Sequence, residues 1–413
     1  MKHITLSLLL SVSVSLSAIR PIKMGVITDT HYLSEQLMDG GYAVQNYVLV
    51  SGKNIKDTPA VLDKVLADYL NSDIEVLLIC GDMSKDGEKQ SHLDLVKKLK
   101  PLQDRGVKVY VIPGNHDINM PNAVEYKGNK TLPVANVSPR EFTDIYAACG
   151  YKDAIRRDTA SLSYVAQLGE DTWLLAIDAA RYEEYKGYTV SGGKISAATE
   201  KWIVDVLDEA KAKNIQVIGM MHWGLTEHII YQSMFFKEYL VDDWNRLANL
   251  FADKGMKVIF TGHFHSNDIS SFRSDKGNII YDIETGTLSA YPFSYRYVDL
   301  YADRIDIRTE NVTAVPGNPN LASEDKDRMQ SLARQLALQK IKNLGYDFSQ
   351  DVKEQFADVL SQIFVLHAFG DEKPDDQLKA SVEKLSKLME SPMDLDDMQL
   401  DFPPADNNIE ITF

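Results

Sequence analysis

Residues 107–117 read VKVYVIPGNHD, an apolar run rich in β-branched residues that ends in a glycine and three polar residues. The run predicts a short buried strand, and the glycine predicts a tight turn at its end. Similar runs at 22–28, 74–80, 215–221 and 257–261 also lead directly into polar residues. The chain therefore repeats one arrangement: a buried strand followed by side chains that can carry out chemistry.

Amphipathic stretches between these runs predict helices. One begins near Thr58, a candidate N-cap that is followed by Pro59 at the first helical position. Another extends from about 196 to 213. Strands that alternate with helices are typical of an α/β layered fold. Later runs at 279–283 and 297–308 alternate like antiparallel strands, so we expect mixed β-sheets flanked by helices.

The composition changes after Thr309, where residues 311–323 are rich in Asn, Pro, Gly and Ala and predict a linker. Three helical patterns follow, at 323–344, 350–369 and 375–390. We therefore expect a main domain over residues 19–310 and a small C-terminal α-helical subdomain over residues 320–413. The tail at 409–413 can add an edge strand.

Residues 1–18 are typical of a signal peptide. Lys2 supplies a positive charge, residues 4–16 are apolar apart from serines, and Ser17 and Ala18 are small. We expect export to the periplasm or the cell exterior. The alternatives are an uncleaved membrane anchor and a buried first strand, although the stretch is short for a span of about 20 residues. No later stretch is long and apolar enough to cross a bilayer, so we expect no transmembrane segment after removal of the signal.

The chain of 413 residues has a formal net charge of −16. A surface of this charge repels long polyanions, so we expect no long nucleic acid as a partner. A small anionic substrate remains compatible, because bound metal ions would dominate the local field. Two cysteines, Cys80 and Cys149, are too few for a cysteine-based metal site, and the sequence does not show whether they pair.

The polar residues that follow the apolar runs are candidates for one site. They are Asp29, His31, Asp82, Asn115, His116, Asp117, His222, His263 and His265. Ligands of open α/β sheets bind at the carboxyl ends of the strands, so we expect these side chains to share one edge. Imidazole, carboxylate and amide oxygen suit zinc, manganese or iron. Two such ions about 3.5–4 Å apart can clamp a phosphoryl group and activate a water molecule.

These motifs resemble the pattern of the calcineurin-like metallophosphoesterase superfamily. That pattern is D-x-H, GD, GNH[DE], a lone His and GHxH, and all five blocks occur here in this order between residues 29 and 265. The context at 31–34 and 262–268, with the C-terminal helices, resembles bacterial proteins grouped with the class III cyclic-nucleotide phosphodiesterases. The resemblance implies a layered metallophosphoesterase fold and two divalent or trivalent metal ions, Mn, Fe or Zn.

The resemblance also implies a role for each site residue. Two groups of three would each bind one ion: Asp29, His31 and His265 the first, and Asn115, His222 and His263 the second. Asp82 would bridge the two ions. Lys85 stands where purple acid phosphatases have a tyrosine, so a tyrosinate-bound iron is not expected. His116 would face the substrate and assist the leaving group, with Asp117 orienting its ring.

We therefore expect metal-dependent hydrolysis of a small phosphate ester, and a phosphodiester such as a cyclic nucleotide is favoured. A phosphomonoesterase and a nucleotide-sugar pyrophosphatase are the alternatives. A scaffold that keeps the fold without catalysis is an alternative of another class, which the complete ligand set disfavours. Of the other histidines, His92 is expected on a helix surface and His367 in packing or capping, whereas His228 could contact substrate or be structural.

Overall fold

The computed structural model describes residues 20–343, 348–389, 391, 393, 395 and 398–413. The predicted signal peptide at 1–18 lies outside the described residues and stays a prediction. The strands are β1 (Ile22–Ile27), β2 (Val76–Ile79), β3 (Lys108–Val111), β4 (Val124–Lys127), β5 (Lys130–Pro133), β6 (Arg156–Arg157), β7 (Tyr164–Gly169), β8 (Thr172–Ile177), β9 (Gln216–Met221), β10 (Val258–Thr261), β11 (Asp268–Arg273), β12 (Ile279–Glu284), β13 (Ser294–Leu300), β14 (Arg304–Asn311) and β15 (Asn408–Thr412). The helices are α1 (Tyr42–Ser51), α2 (Thr58–Leu70), α3 (Lys89–Asp104), α4 (Pro139–Ile145), α5 (Ala197–Ala212), α6 (Gln232–Phe235), α7 (Trp244–Asp253), α8 (Leu321–Asn343), α9 (Gln350–Phe369) and α10 (Asp376–Met389).

Two mixed sheets form the centre of the molecule, as the sequence predicts. The first has six strands in the order β15-β14-β13-β1-β2-β3, and the second has seven in the order β11-β12-β10-β9-β8-β7-β6. Strands β1, β2 and β3 are parallel, and β13 joins antiparallel to β1. In the second sheet β8, β9, β10 and β12 are parallel, with antiparallel strands at both ends. Parallel strands at the centre of each sheet bring their carboxyl ends to a common edge.

The core occupies the space between the two sheets and beneath their flanking helices. Met24 and Leu78 of the first sheet and Phe260 of the second belong to one continuous cluster of buried apolar residues. Helices α2 and α3 contribute to this cluster, whereas α5 and α7 pack on the other face of the second sheet. The arrangement is a layered α/β fold, since each sheet buries both of its faces.

Local signals explain why several helices begin where they do. The hydroxyl of Ser196 accepts a hydrogen bond from Thr199 N and caps α5, and Ser349 caps α9 in the same way through Val352 N. Asp57, and not Thr58, is the N-cap of α2, so the prediction was wrong by one residue. Proline in the first turn of α2 costs no hydrogen bond, because the first amide groups of a helix have no partner within it.

Helices α8, α9 and α10 form the expected helical unit after the two sheets. Helix α9 packs between α8 and α10. The unit is fixed to the main domain by Arg328 and Asp325 of α8. Arg328 donates hydrogen bonds to the carbonyl groups of Val48 and Gly52, and Asp325 accepts one from Asn54 Nδ2 at 3.1 Å. Side chains of α8 thus contact the end of α1 and the loop that joins it to α2.

The last described strand does not belong to the helical unit. Strand β15 pairs antiparallel with β14, with Arg304 opposite Thr412 and Arg308 opposite Asn408. The edge strand expected at the tail therefore forms, but the predicted subdomain at 320–413 returns to the first sheet before it ends. The single run expected at 297–308 is in fact two strands, β13 and β14, that turn back on each other.

The described residues also test the expectations about the two cysteines and about membrane spans. Cys80 and Cys149 are buried free thiols and do not form a disulfide. Among the helices of the described residues, none combines the length and the apolar character that a membrane span requires.

Candidate metal centre

The predicted site residues lie where the parallel strands of both sheets end. Asp29 and His31 follow β1, Asp82 follows β2, His222 follows β9, and His263 and His265 follow β10. The sequence predicted a single sheet edge. The structure instead joins the carboxyl ends of two stacked sheets, because the apolar faces of the sheets pack against each other.

The backbone at the site is held in an unusual conformation. Five of the candidate residues are non-glycine residues with positive φ: Asp29 (49°), His31 (39°), Asp82 (49°), His263 (74°) and His265 (65°). Residues other than glycine adopt positive φ at a cost in conformational energy, and such residues are concentrated at functional sites. The turns after β1, β2 and β10 thus adopt a less stable backbone conformation, which directs their side chains toward one point.

Asp29, His31 and His265 form a first group of possible metal ligands. One donor atom from each lies within 4.8 Å of the others. The Nε2 atoms of His31 and His265 are 3.2 Å apart, and His265 Nε2 is 3.0 Å from Asp29 Oδ1. Two imidazole nitrogens and a carboxylate oxygen at this spacing suit a first-row transition metal.

Asp82, His222 and His263 form a second group with the same property. His222 Nε2 lies 3.3 Å from Asp82 Oδ2, and the same oxygen lies 3.7 Å from His31 Nε2 in the first group. The Asp82 carboxylate is therefore shared by the two groups, as a bridging ligand must be. Both groups are buried apart from a partly exposed His265.

Asn115 lies in the turn that contacts Asp82. Its neighbour His116 donates its backbone N–H to Asp82 Oδ1 at 2.8 Å. Within the described ranges, Asn115 Oδ1 and His222 Nε2 are buried and have no hydrogen-bond partner. Buried polar atoms are rarely left unpaired without a reason. Two buried atoms without hydrogen-bond partners lie beside two groups of imidazoles and carboxylates. This arrangement therefore fits two metal ions.

The charges of the site favour bound cations. Burial alone would raise the pKa of Asp82, but His222 and His116 hold it well below its usual value. Burial lowers the pKa of His263 to about 3, with His222 contributing, so this imidazole is neutral. Despite burial, Asp82 and Asp29 raise the pKa of His222 to about 9. Ionised carboxylates and neutral imidazoles are the forms that bind metal, and the carboxylates stabilise positive charge at His222.

The ring of His116 is oriented by Asp86 and not by Asp117, contrary to the expectation. His116 Nδ1 is 2.7 Å from Asp86 Oδ1. The Asp117 carboxylate instead accepts hydrogen bonds from the backbone N–H groups of Gly114 and Ser84, at 2.9 and 3.0 Å. Asp117 therefore holds the two turns together, and Asp86 fixes the imidazole.

Lys53 is a second residue that sequence reasoning missed. Its Nζ atom lies 3.3 Å from His31 Nδ1 and 3.2 Å from His116 Nε2. Burial lowers its pKa, although Asp82 and Asp86 oppose the shift. The residue comes from the connection between α1 and α2, where no strand or motif marks it. Asp86 had a weak signal, since it lies four residues after Asp82 in the turn after β2.

The other histidines lie away from this centre. His92 is buried, contrary to the expected surface position, and its ring nitrogens lie 3.0 Å from Tyr146 Oη and from the Asp117 carbonyl oxygen. His228 and His367 belong to a separate buried cluster around Asp268. The position of the two residues agrees with a structural role for His367 and favours the structural alternative for His228.

Gly114→Ala is expected to disrupt the centre without changing any ligand. A Cβ atom at position 114 would lie 2.2 Å from Asp82 Oδ1. The carboxylate must then move, and a displacement of about 1 Å costs on the order of 10² in rate. We expect weaker metal binding and at least this loss in kcat/KM. Gly192→Ala is the control, because its nearest new neighbour is 3.8 Å away; equal activities of the two variants would contradict the arrangement.

The match to a family model agrees with this geometry. The family model described as calcineurin-like phosphoesterase matches residues 22–267. No curated protein sequence matches the chain. Remote structural likenesses include a dimetal phosphatase from Danio rerio, with 14% identity, a TM-score of 0.49, and coverage of 70% of this chain and 96% of its own. A purple acid phosphatase from yellow lupin (Lupinus luteus) seeds has 11% identity, a TM-score of 0.41, and coverage of 70% and 51%. The NAD nucleotidase of Haemophilus influenzae has 12% identity, a TM-score of 0.35, and coverage of 70% and 49%.

The matched family model spans more than half of the chain and includes every strand that ends at the metal centre. Its family description also agrees with the two groups of ligands that meet at Asp82. The chain therefore belongs to the calcineurin-like phosphoesterase family and is a metal-dependent phosphoester hydrolase.

Proposed function

We propose that this phosphoesterase hydrolyses a small phosphodiester that carries an aromatic group, with a cyclic nucleotide as the leading candidate. The observation that carries the proposal is a wall of aromatic rings, Phe236, Tyr239 and Phe264, beside the second group of ligands. The Tyr239 ring centroid lies 4.9 Å from that of His263 and 4.7 Å from that of Phe264. The Phe236 centroid lies 5.8 Å from that of Phe264. Stacking of one nucleobase on an aromatic side chain contributes about 1–3 kcal/mol.

The wall is accessible and is bounded by the C-terminal helices. Phe236 and Tyr239 are partly exposed. Lys340 of α8 places its Nζ atom 3.9 Å from the centroid of the Phe236 ring. Since α8 contacts the wall at Phe236, the helical unit in our proposal limits the space beside the metal centre. This supports a substrate the size of a mononucleotide over a polymer.

Metal ions bound at the two groups would orient the phosphoryl group, stabilise its negative charge and lower the pKa of a coordinated water. The chain's own residues supply the remaining chemistry. His116, fixed at Nδ1 by Asp86, places Nε2 3.2 Å from Lys53 Nζ, and its ring centroid lies 5.0 Å from that of His31. In our proposal Lys53 turns from this nitrogen to the phosphoryl oxygens when the substrate binds and adds positive charge there. The nitrogen, then protonated from water, gives its proton to the departing ester oxygen.

Phe236→Leu is expected to raise KM for a cyclic nucleotide by about 5- to 150-fold, which corresponds to the loss of about 1–3 kcal/mol of stacking. Metal content and kcat should change little, because Phe236 contacts Phe264 and not a ligand of the metal centre. Steady-state kinetics with a cyclic nucleotide and with a small diester that lacks a base provides the measurement.

Phe235→Leu is the matched control for this variant. Phe235 is the adjacent residue, exposed at the end of α6, and its ring packs against Tyr231 instead of the wall. Its KM should stay at the value of the unchanged protein. A KM for the cyclic nucleotide that is the same in Phe236→Leu and Phe235→Leu would contradict the stacking role.

A substrate panel distinguishes the proposed activity from its alternatives. The full chain is freed of metal, reconstituted separately with manganese, iron and zinc, and assayed on cyclic nucleotides, nucleoside monophosphates and nucleotide sugars. The highest kcat/KM on cyclic nucleotides supports the proposal. The highest value on monophosphates or on nucleotide sugars would instead assign a phosphomonoesterase or a pyrophosphatase.

A further inference from the structure

A second cluster of acids and imidazoles lies between the sheets and the helical unit. Asp268 begins β11, His367 lies near the end of α9, and Glu372 follows that helix. One donor atom of each residue lies within 4.8 Å of the others, and all three residues are buried. His367 Nδ1 is 2.5 Å from Glu372 Oε1 and 3.8 Å from Asp268 Oδ2. We call these three residues the interdomain cluster.

Carboxylate oxygens of the interdomain cluster are left without hydrogen bonds. Asp268 Oδ2 and Glu372 Oε2 are buried and have no hydrogen-bond partner within the part of the chain that the structure describes. Asp268 is 0% exposed and Glu372 is 4% exposed, so bulk water does not replace a partner. An unpaired buried carboxylate oxygen is expensive, and it calls for an ion or an ordered water at that place.

The surroundings of the cluster contain more acids than bases. The cluster adjoins the acids Asp282, Glu284 and Asp406, and the bases of the region are the imidazoles His228 and His367 and the guanidinium of Arg296. A divalent cation among these groups would offset the excess of acids over bases.

The spacing of the donor atoms suits a single ion. Metal–nitrogen and metal–oxygen bonds are about 2.0–2.2 Å for zinc, so two donors of one ion lie up to roughly 4.4 Å apart. An imidazole with two carboxylates favours a first-row metal ion over calcium or magnesium, which prefer oxygen alone. We propose that Asp268, His367 and Glu372 bind a structural divalent metal ion of the zinc and manganese class, which fastens α9 to β11.

This third site is separate from the catalytic centre. The ring of His367 contacts Phe264, whose neighbours in sequence, His263 and His265, belong to the two ligand groups of the centre. The donor atoms of the interdomain cluster are not shared with either group. A metal ion here binds the folded chain and not the unfolded chain, so it stabilises the attachment of the helical unit.

The test is a count of ions by mass spectrometry after the full chain is loaded with manganese and freed of excess by gel filtration. We expect three ions per chain in the unchanged protein and two in Glu372→Gln. We expect one ion in Asp29→Ala/Asp82→Ala, because only the catalytic centre is lost. Two ions in the unchanged protein, or three in Glu372→Gln, would overturn the proposal and leave protons as the neutralising charge.

Asp178→Asn is the matched control, and it should keep three ions. Asp178 is also a buried acid, but its oxygens accept hydrogen bonds from Leu162 N, Ala180 N and Tyr182 Oη. Should Glu372→Gln fail to fold, crystals of the unchanged protein loaded with manganese decide the matter. An anomalous peak among Asp268, His367 and Glu372 supports the site, and a map without a peak there refutes it.

Discussion

Asp82→Ala is expected to release both ions of the catalytic centre and to abolish hydrolysis of every phosphate ester. The carboxylate lies between the two ligand groups, 3.3 Å from His222 Nε2 and 3.7 Å from His31 Nε2. Removing it takes one ligand from each ion and also removes the negative charge that the two ions would share. Metal content by mass spectrometry and kcat/KM on a chromogenic diester are the measurements.

Chelation of the unchanged protein is the reference for this variant. Activity should disappear with the chelator and return when manganese is added back, whereas Asp82→Ala should stay inactive under the same treatment. At most the single ion of the interdomain cluster should remain bound to the variant. An Asp82→Ala protein that keeps the full complement of ions, or that regains activity with manganese, contradicts the bridging role.

His116→Ala is expected to keep its metal ions and to lose about 10²–10⁴ in rate on alkyl phosphodiesters, the usual contribution of one general acid. The loss on a nitrophenyl diester should be much smaller, because nitrophenolate departs readily without a proton. The difference between the two leaving groups is the signature of proton donation. Parallel kinetics on both ester classes, with metal content measured on the same samples, gives the comparison.

Asp86→Asn is an informative partner for this experiment. It keeps the shape of the residue that holds His116 Nδ1 but removes its charge, so a smaller loss with the same dependence on leaving group is expected. Equal losses on both ester classes in His116→Ala would leave only electrostatic stabilisation of the phosphoryl group. Loss of metal from His116→Ala would mean that the ligand set includes this residue.

Much of the site was predictable because its residues follow buried strands. The apolar run at 215–221 places His222 at the end of β9, and the run at 257–261 places His263 and His265 after β10. Helix α9 was predicted to the residue, since Ser349 caps its start and Gly370 ends it. In these places a local chemical signal and the tertiary structure agree.

The misses have physical causes of a different kind. Lys53 reaches the centre from a connection without periodicity, whose position depends on contacts with distant parts of the chain, including Arg328 of α8 and Ser289. His92 lies on a helix that looks amphipathic, but Tyr146 covers its face and turns a presumed surface residue into a buried one. A pattern along one helix carries no information about the element that packs on it.

The pairing of the strands could not be predicted from the sequence either. Alternating residues predict strands but do not tell which strands share a sheet, so the two stacked sheets were taken for one edge. The run expected at 297–308 spans two strands because the turn at Tyr301–Asp303 contains no glycine or proline to mark it. Asp86 instead of Asp117 beside His116 is likewise a consequence of how two turns meet.

The pairing of β14 with β15 determines which deletions and insertions the sheet of this enzyme can accept. Thr309 N donates to the carbonyl oxygen of Asn407 at 2.9 Å, so the chain leaves the sheet and re-enters it at neighbouring positions. The three helices thus occupy the place of a hairpin loop. A cut at residue 309 also strips an edge strand from the sheet, whereas excision of the loop with a short turn in its place keeps every strand. The helices are in this sense an insertion that can be exchanged, provided that the replacement also holds the connection that carries Lys53.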